Sequence, residues 1–312
     1  MRRTMYDIGL YRSVGFTLIE MVISLTLIAI MSAMMAVFLR VPMESHFVTR
    51  QRLTLTDAAE LAIRHMDQEM RTALPNSVRV LNVGAVTYVE FLAVRTYGHY
   101  RTTSGGPTSA ALGSCAGGVA NNLLNFVAAD NCFTTLGVVP SGAQIVAGQD
   151  YVVIDNRDAL PGSIHNAYTG GNANKSLVTA YAAAKAAAPT PPEDRLQVTN
   201  FLFPSTPASK RFYVVSGAVT YACSPNAANP AAGQLLRYSG YGISAAQAEP
   251  PAVAPSIIVQ GVSACQIPQP VKLGGLMGDL VTVSLALASD TTGGGAREEA
   301  DVLMQIPVNT WP

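Results

Sequence analysis

The sequence predicts an α+β protein: a long N-terminal helix, with a transmembrane half and an amphipathic half, packed on an antiparallel β-sheet head. Three observations lead there. Residues 16–39 form an apolar run whose single ionisable group is Glu20. Residues 44–74 keep an apolar spacing of three or four. From Ser77 onward the spacing falls to two, in short runs separated by Gly and Pro. Composition agrees. Of 312 residues, 20 are basic and 20 acidic, so the formal net charge is zero. Charged residues make 13% of the chain and hydrophobic ones 49%. This excludes a charged disordered polymer and a coiled coil, and it removes the basic footprint that nucleic-acid binding needs. Zero net charge at low charge density also suits a freely dispersed protein poorly.

Residues 1–15 read as a cytoplasmic leader, with Arg2, Arg3 and Arg12 against Asp7. Residues 16–40 follow as a transmembrane helix. The apolar run of 24 residues makes about 36 Å of helix, enough to cross a hydrocarbon core of about 30 Å. The excess of positive charge on the leader keeps that side in the cytoplasm and directs the bulk to export. A signal peptidase I substrate fits badly, because the run is long and no A-x-A-like pattern closes it. The Arg2-Arg3 pair also lacks a twin-arginine context. Glu20 either snorkels to the interface or has a function, since a carboxylate in hydrocarbon costs roughly 2.5–3.5 kcal/mol.

The string Gly15-Phe16-Thr17-Leu18-Ile19-Glu20, placed between a basic leader and an apolar helix, resembles the type IV pilin and pseudopilin signal. The resemblance implies that prepilin peptidase cuts between Gly15 and Phe16, removing 15 of 312 residues and leaving 297. Phe16 then becomes an N-methylated terminus, and Glu20 the acidic fifth residue of the mature chain. Positions i and i+4 share a helix face, so Glu20 lies one turn from the new amine. Subunits offset by about a turn can pair amine with carboxylate and neutralise both in a poor dielectric. Without the leader, 17 basic and 19 acidic side chains remain, after loss of three arginines and one aspartate.

Residues 41–75 continue the helix, with a kink expected at Pro42. Leu55, Ala59, Ala62, Met66, Met70 and Leu74 recur on one face, and Pro75-Asn76 stops the helix. A methionine stripe at this spacing reads as a packing face, not a cofactor groove. Residues 76–312 form the β-rich head. VRVLNV and AVTYVEFLAVRTY around Gly84 read as a hairpin. Further strands are expected at 151–155, 195–203, 211–223, 234–241, 256–265, 279–288 and 302–308. Two insertions read as surface excursions, near 102–122 and 159–194. In the second, TAYAAAKAAAPTPPED suggests a short helix stopped by Pro189. Residues 291–301 read as a mobile loop between the last two strands.

The four cysteines, Cys115, Cys132, Cys223 and Cys265, form no CxxC or metal spacing, and the histidines are scattered. An exported head favours disulfides, and three pairings are open. Cys115–Cys132 with Cys223–Cys265 is the preferred one, since it closes a loop within the insertion and joins two strand ends.

VSGAVTYAC, LLRYSGYGI, VSAC, DLVTVSLAL and the terminal VLMQIPVNTWP, with HMDQEMRTALPNSVRV upstream, are together similar to the MshO family. These are large minor pilin-like proteins of MSHA type IV pili, related in design to J-type pseudopilins. The resemblance implies a disulfide at Cys223 and Cys265.

Catalytic readings are thin. Ser216 lies in a strand run and not in a G-x-S-x-G elbow. His99 near a strand end reads as a surface residue. Asp155 and Asp158 in DNRD could flank a calcium-like cation, although a plain turn explains them as well. Asn174-Lys175-Ser176 matches the N-glycosylation tripeptide. The resulting expectation is a non-enzymatic minor pilin in a bacterial inner membrane, single-pass, with its N-terminus cytoplasmic and its head periplasmic. It needs no metal or cofactor. Its partners are prepilin peptidase, other major and minor pilins, the inner-membrane assembly platform, and membrane lipid before assembly. The bulky head suggests a priming or tip-proximal place in the pilus. The alternatives are a J-like minor pseudopilin of a type II secretion system and a non-assembling, membrane-anchored periplasmic binding protein or adhesin.

Overall fold

The computed structural model describes residues 15–102, 123–140, 142–171, 173–183, 193–272, 279–289 and 297–308. The protein is α+β with antiparallel sheet. Its contacts divide it into Met1–Gln51 and Arg52–Pro312.

Helix α1, Leu18–Arg71, holds 54 residues. It stays helical through Pro42. A proline removes only one backbone donor, and the turns on either side keep theirs. Within the first unit, Leu18–Ala36 is long and apolar enough to cross a membrane, and none of that span is buried. Nineteen residues make about 28 Å of helix.

Within the second unit, α1 buries Ala59, Ala62, Ile63, Met66 and Met70. These include four of the six residues expected on the apolar face. Leu55 packs partly against the same core, and Leu74 enters a separate one. The exposed side carries i,i+4 pairs, Glu60 with Arg64 at 3.2 Å and Asp67 with Arg71 at 2.7 Å. The helix ends at Arg71, before Pro75. Its last turn tightens as the Thr72 and Ala73 N–H groups bond the Glu69 and Met70 carbonyls.

The chain then builds a nine-stranded sheet. Its strands are β1 (Arg79–Val83), β2 (Val86–His99), β3 (Asp130–Thr134), β4 (Tyr151–Ile154), β5 (Lys175–Ala182), β6 (Arg195–Phe201), β7 (Arg211–Ser224), β8 (Gln234–Tyr241) and β9 (Ser256–Gln260). The order is β1-β2-β7-β4-β5-β6-β3, with β8 on β7 and β9 on β8. A four-stranded sheet follows, from β10 (Val262–Gln266), β11 (Val271–Lys272), β12 (Asp279–Ala288) and β13 (Glu299–Val308). β12 is central and pairs with β13 from Asp279↔Val308 to Ala288↔Glu299.

β7 holds the large sheet together. One edge pairs with β2 from His99↔Arg211 to Thr87↔Cys223. The other edge serves β4 at Phe212–Val215 and β8 at Ala218–Ser224. The changeover falls at Ser216-Gly217, where the β2 register slips. A one-residue bulge reverses which side chains face inward. Phe212 and Val214 enter one core before it, and Val219, Tyr221 and Cys223 enter another after it. Gly217 has φ 137°, and a Cβ there would meet the Tyr241 carbonyl at 3.0 Å.

The main core joins three layers. The α1 stripe packs with Val89, Phe91, Val219 and Tyr221 of the large sheet and with Val281, Val283, Leu285 and Ile306 of the small one. The expected strand 256–265 is two strands, β9 in the large sheet and β10 in the small sheet, because Gly261 turns the chain between them with φ 88°. The Cys223–Cys265 disulfide joins β7 to β10 with Cα atoms 6.5 Å apart, inside the ordinary range of about 4.4–6.8 Å. Cys132 is buried on β3 and is not a free thiol. Its expected partner Cys115 lies outside the described residues, as do residues 103–122 of the first insertion.

The second insertion is corrected. Residues 175–182 form β5, paired with β4 and β6, and Ala167, Tyr168 and Val178 are buried. Pairing on both edges outweighs the weak helix preference of a few alanines. Residues 184–192, which include Pro189, lie outside the described residues. Of the expected loop 291–301, residues 299–301 belong to β13 and residues 290–296 lie outside the description.

Two outcomes are expected from this packing. Replacing both Cys223 and Cys265 with Ser lowers stability by about 4 kcal/mol on the chain-entropy estimate for a 42-residue separation. Met66→Ala costs about 2–5 kcal/mol through the cavity it opens in the three-layer core. Denaturant midpoints of the detergent-solubilised chain measure both. Reduction of the wild type should lower the midpoint at least as far, because Cys132 is not a free thiol either.

Candidate functional site

Gly15, Phe16 and Thr17 precede the first helical turn. Thr17 caps it: the Glu20 N–H donates to Thr17 Oγ1 at 3.3 Å, and the Met21 N–H donates to the Thr17 carbonyl at 3.1 Å. Thr17-x-x-Glu20 thus has the spacing of a capping box, and an acid in the first turn suits the helix dipole. Local helix chemistry alone therefore gives Glu20 one use. Its side chain is nonetheless exposed, and no ion pair to it is found among the described residues. A Cβ at Gly15 would meet nothing within 4 Å, so packing among the described residues does not demand glycine there. Phe16 is 78% exposed and Leu18 83%. The result is an uncovered apolar surface whose only charge sits near its N-terminal end.

In the second unit the candidate residues are scattered. Ser216 is exposed at the bulge, and its hydroxyl reaches only the Ala93 carbonyl at 3.4 Å. His99 faces Arg211 across the β2–β7 ladder. Partial burial and that guanidinium hold its imidazole below the ordinary value. Asn174 is fully buried on the approach to β5 and donates to Asn156 Oδ1 at 3.3 Å. A buried amide cannot accept a glycan, so the tripeptide is a strand start and not an acceptor site.

The DNRD turn is tied down by its own carboxylates. Asp155 takes Arg157 at 2.7 Å, His165 at 3.3 Å and the Ser205 hydroxyl. Asp158 accepts the Leu160 N–H and the Ser163 hydroxyl, each at 2.9 Å. Burial pushes the Asp155 carboxyl up, but the hydrogen bonds from Arg157 and Ser205 outweigh it, and the carboxyl lies below the ordinary range. Both carboxylates thus serve to hold the turn.

Two polar clusters went unread in the sequence, one half-buried around Glu69 and one buried around Glu90. Glu69 on α1 binds Arg237 on β8 at 2.8 Å and accepts the Tyr221 hydroxyl at 2.7 Å, while His65 Nδ1 lies 2.8 Å from that same hydroxyl. Glu90 on β2 is 1% exposed and binds Arg79 at 2.6 Å. The Arg79 guanidinium also lies 3.7 Å above the Tyr168 ring. Burial drives the Glu90 carboxyl above its ordinary range, against the pull of Arg79. The available signal was a charge interrupting the apolar run AVTYVEFLAV.

Arg79 of the second cluster also lines a cleft of about 730 Å³ between the turn before β1, the DNRD loop, the approach to β7 and the approach to β11. Asn76 and Asp155 line it with left-handed backbone, φ 60° and 58°, and Lys210 at φ 52° lies between two lining residues. Strained non-glycine backbone tends to gather where the surroundings over-determine it. Asn76 and Asn156 fasten the walls together, donating to the Asn156 and Pro75 carbonyls at 3.1 and 2.8 Å. Behind the cleft, Asp279 is fully buried, 2.7 Å from the Lys272 ammonium.

Comparison of the chain with known protein families, with curated proteins and with solved structures finds no match.

Two outcomes check these assignments. Arg79→Met strands the Glu90 carboxylate and should destabilise the fold by about 3–5 kcal/mol in denaturant titration. Burial raises the Asp279 carboxyl above its ordinary value of 3.8, against Lys272 and the Val78 N–H. The stability attached to a raised carboxyl is present below the unfolded value and is lost as pH rises through the folded value. Wild-type stability relative to Asp279→Asn should therefore fall as pH rises from 3.8. A flat difference in denaturant midpoints across that window would remove the assignment.

Proposed function

We propose that this chain is a minor pilin-like subunit of an MSHA-like type IV pilus, held in the bacterial inner membrane before assembly. On this reading it is single-pass, with its leader cytoplasmic and its head periplasmic. The observation that carries the reading is one combination at the N-terminus. The string Gly15 to Glu20 directly precedes and enters a helix that is long and apolar enough to cross a membrane, and none of the Leu18–Ala36 span is buried. Such a surface needs a covering, first lipid and then neighbouring helices.

In the proposed sequence of events, prepilin peptidase hydrolyses the Gly15–Phe16 peptide bond on the cytoplasmic face. The new Phe16 amine is methylated and stays cationic. The exposed Glu20 carboxylate offers the amine of an adjacent subunit a charge partner where water is scarce. Pairing removes the cost of two lone charges and sets the axial register of otherwise featureless apolar helices. The chain is the substrate of an enzyme, and its own chemistry is assembly. A head this large packs poorly in a long homopolymer, which supports a priming or tip-proximal place. The disulfide-linked sheets suit an exported domain.

Intact mass and N-terminal sequencing from cells with active prepilin peptidase should show a chain starting at methylated Phe16. A retained Met1 leader would sink the processing step. Glu20→Ala should leave membrane abundance unchanged while the filament-associated fraction falls at least about tenfold, the effect of losing 1.4 kcal/mol of register energy. Equal incorporation of the variant would remove the register role of Glu20, and absence of the wild-type chain from the filament fraction would favour an anchor that never assembles.

A further inference from the structure

The cleft before β1 has the size of a ligand site and a lining that selects among ligands. Its charged side chains are Arg79, Arg157, Arg211 and Lys272 against Asp155 and Asp158. Both carboxylates already hold donors: Asp155 pairs with Arg157, and Asp158 accepts the Leu160 N–H and the Ser163 hydroxyl. Four cations against two acids leave the lining with an excess of positive charge.

The cations at the mouth keep donors to offer. Arg157 has five N–H donors, and its bond to Asp155 uses Nε and Nη2 at 2.9 and 2.7 Å. Its side chain remains 58% exposed. Lys272 has three donors, lies 2.7 Å from Asp279 and is 45% exposed. An anionic group can therefore bind at the mouth without dismantling either ion pair.

The walls specify the rest of the ligand. Pro75, Pro207, Pro270 and Leu160 are apolar, and Leu160 is 66% exposed. The prolines offer no backbone N–H. Tyr213 is the sole aromatic residue among the lining residues, which gives a sugar ring little to stack on. An aliphatic side chain next to a carboxylate matches both features.

We infer that the cleft between the DNRD loop and the approach to β11 is a docking site for an acidic peptide segment of a partner protein, its carboxylate bound by Arg157 and Lys272 and its aliphatic neighbour seated on Leu160 and the prolines. This reading is independent of filament assembly, because every residue in it belongs to the second unit and none to the N-terminal helix.

The test uses the full chain in detergent micelles and a fluorescein-labelled octapeptide of alternating Leu and Glu, followed by anisotropy. Saturable binding that weakens with added salt is expected. The Gln counterpart of the peptide should bind at least about tenfold more weakly. Leu160→Asp, at an exposed position, should reduce binding similarly with an unchanged unfolding midpoint, and Arg157→Gln should flatten the salt dependence. Equal binding of the Glu and Gln peptides, wild-type affinity in Leu160→Asp, or no saturable binding would overturn the inference. So would displacement of the peptide by polygalacturonate at lower concentration than by unlabelled peptide, which would make the ligand an acidic saccharide. Failure here would leave the Glu20 incorporation result untouched.

Discussion

Strand β7 must satisfy two different neighbours along one edge, and much of the head follows from how it does so. With β2 along its whole other side, the strand offers Phe212–Val215 to β4 and Ala218–Ser224 to β8. The slip at Ser216-Gly217 changes the parity: Phe212 and Val214 are core residues before it, and Val219, Tyr221 and Cys223 after it. Val215 and Ala218, on either side of the slip, share a third core. The second half places Tyr221 against α1 and Cys223 against the small sheet, where they bond Glu69 and Cys265. Glycine at 217 is the residue that tolerates the slip.

Charge in the head is used mostly as internal fastening. Glu69 with Arg237, Glu90 with Arg79, and Asp279 with Lys272 each join elements far apart in sequence. These pairs are partly buried, and a pair of this kind contributes little net stability against an apolar alternative, whereas leaving a buried partner such as Glu90 or Asp279 alone is costly. They therefore specify which elements meet. The apolar span Leu18–Ala36 uses charge differently: its one carboxylate, Glu20, is left exposed near the N-terminal end of an uncovered helix. The low overall charge thus comes from two regimes, a surface awaiting cover and an interior with its charges paired.

Legibility in the sequence tracked the strength of local periodicity. The helix face at Ala59, Ala62, Met66 and Met70 could be read because each residue repeats at three or four and nothing polar intervenes. β2, β7, β8 and β12 could be read from alternation. β3, β5 and β11 could not. Asp130-Asn131-Cys132-Phe133-Thr134 reads as a turn, Lys175–Ala182 runs into an alanine-rich stretch, and β11 has two residues. Their strand state comes from neighbours already in place, since a ladder on one or both edges supplies what local preference lacks. The cleft was equally hidden, because its walls come from four segments spread over about two hundred residues.

By itself, the sequence determined the class, α+β, the helix long and apolar enough to cross a membrane, and the stripe by which the helix enters the head. Each of these rests on spacing within a few turns or a few strand residues, which the chain carries wherever it folds. The tertiary structure alone decided that β7 divides one edge between two partners, that β9 and β10 part company at Gly261, that the supposed excursion at 159–194 holds a paired strand, and that four loops enclose one cleft. Those outcomes depend on which distant segments compete for the same hydrogen-bonding edge and the same buried volume. No local pattern records that competition.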